Sequence, residues 1–248
     1  MKRGVHVLST QYLVLSTWYL NFSFAAVAAS IGCAPTNSSP ANAEPNFSAQ
    51  ATAVREGRAD RIHSESTLLT DQDLAEAAGL AALRELLVDH PESRITSAGV
   101  KHLAGVPALE HLRLRGKGFD DAALAEAAKI ESLQILNVPQ ADLTDVGLTE
   151  LKRLPKLVQL RFGSPRVTDA GMKTLAELPS LKQLHLIDVP ITDAGLAELA
   201  KIERLESLYI DGGTISDGAW EKLFRERPKL HVHVNQEHHD RDPHKHPH

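Results

Sequence analysis

Leucines stand at positions 109, 133, 157, 181 and 205, each 24 residues after the last. Laid on that ruler, four segments read "LEHLRLRGKGFDDAALAEAAKIES", "LQILNVPQADLTDVGLTELKRLPK", "LVQLRFGSPRVTDAGMKTLAELPS" and "LKQLHLIDVPITDAGLAELAKIER". A fifth, "LESLYIDGGTISDGAWEKLFRERPK", is one residue longer. A looser copy begins at Leu83, with Ile95 and Val100 in the equivalent apolar places. Alternation such as Leu112-Arg113-Leu114 points two leucines one way and the arginine the other, as in a short strand. In "TDAGLAELAKI", Thr192 or Asp193 can cap a helix start, while Leu196 and Leu199 share one face. One strand and one helix cannot bury their apolar faces alone. Stacked copies can, which is why the unit must be repeated.

A period of this length carrying L-x-x-L-x-L resembles the leucine-rich repeat family, over roughly residues 68 to 235. The resemblance implies an α/β solenoid, a horseshoe of about six repeats with parallel strands on the concave side and helices on the convex side. The "TDxGL" segments resemble the helical subtype of bacterial exported proteins, and also the ribonuclease-inhibitor and F-box adaptor kinds, although no F-box segment is recognisable. The family places Asn, Cys or Thr nine residues into the repeat, where the side chain satisfies turn backbone groups. Here those places hold Lys117, Ala141, Pro165, Val189 and Gly213, so waters or backbone contacts must replace that ladder. At the ends, "LLTDQDLAEAAGLAAL" (68 to 83) is expected to cap the first repeat, and "KLHVHVN" (229 to 235) to add a last strand with Val232 and Val234 facing inward. With only 4% aromatic residues, the core must be built from Leu, Ile, Val and Ala.

Proteins of this kind usually bind partners on the concave strand face. On the ruler its first column holds His111, Ile135, Gln159, Gln183 and Ser207. The centre column holds Arg113, Asn137, Arg161, His185 and Tyr209. The third holds Arg115, Pro139, Gly163, Ile187 and Asp211, and His231, His233 and Asn235 extend the three if the last strand keeps register. The centre column is the candidate site for a protein partner, because Arg and Tyr are favoured at interface hot spots. Ile135 and Ile187, outward in this register, are expected to be exposed and to favour a contact surface.

The N-terminus reads as an export signal. Lys2 and Arg3 precede a largely apolar stretch with no Asp, Glu, Lys or Arg between Gly4 and Gly32, the pattern of a secretory segment. Its end, "SIGC", resembles a bacterial lipobox, which implies lipidation at Cys33. Cleavage after Ala28 at "AVA", and retention of the segment as a signal anchor, are the alternatives. The domain organisation expected is a signal over 1–32, a disordered tether over 33–66 that is rich in Ala, Pro, Asn and Ser, a solenoid over 67–235 and a His-rich disordered tail over 236–248. The membrane is expected to be met only through the N-terminal anchor, with the solenoid acting outside the cytoplasm as a monomer.

The stretch "HVHVNQEHHDRDPHKHPH" has seven histidines in 18 residues: His231, His233, His238, His239, His244, His246 and His248. Imidazole-rich tracts bind Zn, Cu or Ni, so a metal-sequestering envelope protein is the second reading. No other cofactor is expected beyond weak Zn or Ni binding by this tail. A net charge of −5 supplies no basic field for nucleic acid. One cysteine permits neither an intramolecular disulfide nor a multi-cysteine zinc site. No phosphate loop, His-Glu-x-x-His or G-x-S-x-G occurs, and Asp145, Asp169 and Asp193 repeat identically, as structural residues do. A non-catalytic binding module is the reading that follows.

Overall fold

The computed structural model describes residues 45–238. The apolar N-terminal segment, Cys33, and His239, His244, His246 and His248 lie outside the described residues. No helix among the described residues is long and apolar enough to cross a membrane.

Nine strands form one sheet in sequence order: β1 (Arg61–Ser64), β2 (Glu85–Val88), β3 (His111–Leu114), β4 (Ile135–Val138), β5 (Gln159–Gly163), β6 (Gln183–Ile187), β7 (Ser207–Asp211), β8 (His231–Val234) and β9 (Glu237–His238). Strands β1 to β8 run parallel, and β9 turns back antiparallel on β8. The helices are α1 (Phe47–Arg55), α2 (Asp71–Leu74), α3 (Ser97–Val100), α4 (Asp121–Ala127), α5 (Asp169–Ala176), α6 (Asp193–Leu199) and α7 (Asp217–Glu226). A 3-10 segment, Gly147–Arg153, stands between β4 and β5. Register follows the leucines: Leu86, Leu112, Leu136, Leu160, Leu184, Leu208 and Val232 are paired in turn, strand to strand. All are buried in one continuous core that runs from Phe47 to Val232. The fold is a leucine-rich-repeat solenoid.

The expected tether over 33–66 is corrected from Asn46 onward. Asn46 caps α1, its side chain accepting the Ala49 N–H at 2.8 Å. Phe47, Ala51 and Val54 recur on one helical face and are buried. The polar composition hid that spacing, because one ring, one alanine and one valine among polar neighbours carry little hydrophobicity in a running average. Strand β1 then opens a repeat upstream of those counted from the leucine ruler, so eight parallel strands stand where about six repeats were expected. Residues 68–83 are therefore the helical half of an ordinary repeat, and α1 is the true cap. At the other end Val232 is buried and Val234 partly so, as expected of a last strand. The tail boundary moves, however, since Glu237 pairs with Val234 and His238 with His233.

The convex side is tied together by a side-chain ladder. Thr168 caps its own helix, its hydroxyl accepting the Ala170 N–H at 3.2 Å. Its backbone N–H and hydroxyl both donate to Asp145 of the preceding repeat, each at 2.8 Å. The same two-pronged rung joins Asp71 to Thr96, Asp121 to Thr144, Asp169 to Thr192 and Asp193 to Ser216. Thr is thus the cap and Asp the link between repeats, resolving the choice the sequence left open between them.

The glycine of "TDxGL" makes room for this rung. A methyl on Gly171 would lie 2.6 Å from Asp145 Oδ1 and 2.9 Å from both Leu148 and Val167. Gly99, Gly147 and Gly195 face Asp71, Asp121 and Asp169 in the same way. Where the ladder is missing, so is the glycine: Ser97 stands at the Asp place, and the next repeat has Ala123 at the Gly place. The last rung carries Ala219 in the Gly place, and there α7 leaves its Ser216 cap at φ −75° where Thr192 has −117°. An open cleft of about 300 Å³ separates α6 from α7 there.

Backbone contacts replace the family's turn ladder, as expected. Ile95 donates to the Lys117 carbonyl, Asp142 to Phe119, Asp188 to Asp211 and Thr214 to Ile191. Arg227 closes the C-terminal side by donating to four carbonyls of the preceding loop, those of Ala200, Ile202, Glu203 and Leu205, at 2.6–3.1 Å.

Candidate functional site

The strand pairings place Arg113, Asn137, Arg161, His185 and Tyr209 in one column, each opposite the next. Strands stack about 4.8 Å apart, so neighbouring side chains meet. They are set into the sheet: Asn137 and His185 are less than 10% exposed, and Arg113, Arg161 and Tyr209 are half-buried. The column extends to His63 and Leu87 on one side and to His233 on the other. His231 and His233 keep the register expected of the last strand.

Two acidic residues at strand ends organise this column. Asp89 follows β2 and sits between His63, whose Nε2 is 2.9 Å from Oδ2, and Arg113, whose Nη2 is 2.7 Å from Oδ1. Burial pushes the Asp89 carboxyl up, but the His63 hydrogen bond and the Arg113 charge outweigh it and hold it below the usual range. Asp211 closes β7 and accepts from His185 Nε2 at 2.9 Å. Burial again acts upward and is outweighed, here by that hydrogen bond, by the Gln236 N–H and by the Arg161 charge.

From Asp211 a directional chain of hydrogen bonds runs as far as Asn137. Burial lowers the His185 pKa against the pull of Asp211, and the Arg161 charge lowers it further. The ring is therefore neutral at pH 7. With Nε2–H donating to Asp211, its Nδ1 is left to accept Arg161 Nε–H at 3.1 Å. Arg161 Nη1 donates in turn to Asn137 Oδ1 at 3.4 Å. Arg161 itself is pushed down to about 10 by burial and by the nearby charges of Arg113 and Arg115. Beyond His185, Tyr209 stacks on His233 with ring centres 4.6 Å apart.

All five candidate residues are thus brought together. His63, Asp89 and the acid role of Asp211 were missed, because Leu87 interrupts the polar column and β1 lies beyond the leucine ruler. Ile135 and Ile187 are half-buried, contrary to expectation. The large apolar residues exposed among those described are Leu68 and Val146. Among the described residues no group of three or more His, Cys, Asp or Glu is placed to hold a metal ion.

No family model matches this chain, and no curated protein does either. One solved structure that is similar is an internalin from Listeria monocytogenes. It aligns over 71% of this chain and 53% of its own, at 17% identity and a TM-score of 0.48. The chain thus spans about half the length of that structure. The fold assignment stands on the strand register and buried leucines, not on this likeness.

Proposed function

We propose that the strand face binds a protein partner without catalysing a reaction, and that Arg113, Asn137, Arg161, His185 and Tyr209 are its contact residues. The observation that carries this reading is the hydrogen-bonded column itself. Side chains already fixed by their neighbours lose little rotamer freedom when a partner docks, which is the usual cost of ordering long polar groups at an interface. With Arg113 paired to Asp89, Arg115 and Arg161 still leave positive charge in the middle of the face, so the partner is expected to present a carboxylate there. Export by the N-terminal segment and tethering through Cys33 complete the proposal, with the solenoid working as a monomer outside the cytoplasm.

The test is a crosslinked pull-down from native envelope extract using the full chain. The bait is compared with a variant carrying Arg161→Gln and Tyr209→Ala, whose folding is checked by thermal melting. A partner captured by wild type and lost by the folded variant supports the reading. A partner held equally by both places binding elsewhere and sinks it.

A further inference from the structure

The strand face holds two groups of the same three residue types, Asp, His and Arg, in different order. Around β2 the acid is in the middle. Asp89 takes His63 Nε2 on one oxygen at 2.9 Å and Arg113 Nη2 on the other at 2.7 Å. From β5 to β7 the imidazole is in the middle. His185 lies between Asp211, 2.9 Å from its Nε2, and Arg161, whose Nε is 3.1 Å from its Nδ1. A carboxylate accepts on both oxygens, whatever the state of the imidazole beside it. A neutral imidazole accepts on one nitrogen, and a protonated one accepts on neither. The order of the three residues therefore decides how each group answers to acid.

We propose that His185 is an acid-operated catch on Arg161: a proton taken up at Nδ1 turns the acceptor into a donor and breaks the bond from Arg161 Nε–H. The proton comes from solvent and stays on the ring, whose Nε2–H remains bonded to Asp211. The imidazolium also sets a second positive charge against the guanidinium, so repulsion adds to the lost bond. Facing the ring are Arg161 on β5 and Asp211 and Tyr209 on β7, with His231 and His233 of β8 packed on Tyr209. Burial and the Arg161 charge outweigh the pull of Asp211 and hold the ring below the ordinary 6.5, so the catch opens on the acid side of that value. The Asp89 group stays closed there, because a proton on His63 brings a charge that the carboxylate already accepts. The inference rests on the strand face as a contact surface for its use, giving that face a pH at which one contact residue moves. Its test needs no partner, so either can fail while the other stands.

Nuclear magnetic resonance of the isotope-labelled full chain tests this, through the scalar coupling that an N–H···N hydrogen bond transmits between its two nitrogens. The coupling between Arg161 Nε and His185 Nδ1 is expected at about pH 7.5. It is expected to vanish as the ring protonates, with a shift of the Arg161 Nε–H resonance. In His185→Gln the amide oxygen accepts at any pH and takes no proton, so that resonance is expected to stay in place between about pH 7.5 and about pH 5. His185→Asn replaces it if the first variant melts abnormally. A coupling that outlives protonation of the ring overturns the proposal, as does its absence at about pH 7.5, or a ring still neutral at about pH 4. So does a shift in the amide variant as large as in wild type, which assigns the response to another group, such as His231 or His233.

Discussion

The two faces of this solenoid use repetition in opposite ways. On the helical face the same letters recur, and each recurrence has one job. Thr caps and donates forward, Asp accepts from the next repeat, and Gly leaves the space that the Asp needs. On the strand face only the leucines recur, while the outward column reads Arg, Asn, Arg, His, Tyr. A position that repeats is answering to its neighbours in the stack. A position that varies is free to answer to something outside it, and here three of the varied positions, Asn137, Arg161 and His185, are wired into a directional chain.

The sharpest way to break that comparison is at the ladder. Gly195→Ala is expected to cost about 3 kcal/mol, the upper end for overpacking a site with no room to yield. Adding Asp169→Ser, which copies the natural Ser97 and Ala123 combination, should recover about half of it by removing the oxygen that the methyl meets. Urea denaturation of the two single variants and the double gives the coupling. An unchanged cost in the Asp169→Ser background means that the glycine serves something other than the rung.

A smaller effect is expected from protonating the strand face. Burial lowers His111 to about 4, chiefly against the pull of Glu85. Between that value and the ordinary 6.5, the unfolded chain binds more protons than the folded one, so stability is present above pH 6.5 and lost as pH falls to 4. The loss should be about 2 kcal/mol once screening of a half-buried ring is allowed for. His111→Gln should flatten the dependence of Tm over that window. A profile identical to wild type would assign the acid sensitivity to other groups.

The smallest effect is expected in the centre column. Arg161→Gln removes the bonds to Asn137 and His185 and should cost about 1 kcal/mol by urea denaturation, much less than the ladder variant. A cost near 3 kcal/mol would show that the column, like the ladder, holds the fold together, and would weaken its assignment as a contact surface.

These contrasts explain what could be read in advance. The 24-residue leucine spacing fixes strand positions, and with them the register of Arg113 through Tyr209, because a strand's side chains alternate without exception. The capping threonine and the recurrent aspartate were visible too. The forward reach of Asp169 to Thr192 was not, since a period shows which residues recur and not which repeat each one touches. Helix α1 escaped notice because Phe47, Ala51 and Val54 stand in a stretch otherwise rich in Ala, Pro, Asn and Ser. The Asp89 pairing escaped because Leu87 stands where the polar column should continue.

The end of the sheet at β1 has a consequence of its own. The Gln50 carboxamide accepts the His63 N–H and donates to the His63 carbonyl, both at 2.8 Å. One side chain thus occupies the pair of backbone groups that another strand would use, as a stopper occupies a socket. The β8–β9 turn does the same at the far end. An open stack of parallel strands has no intrinsic length and invites copies to join end to end. Here a glutamine at one end and a short hairpin at the other occupy, from within the chain, backbone groups that an added strand would need.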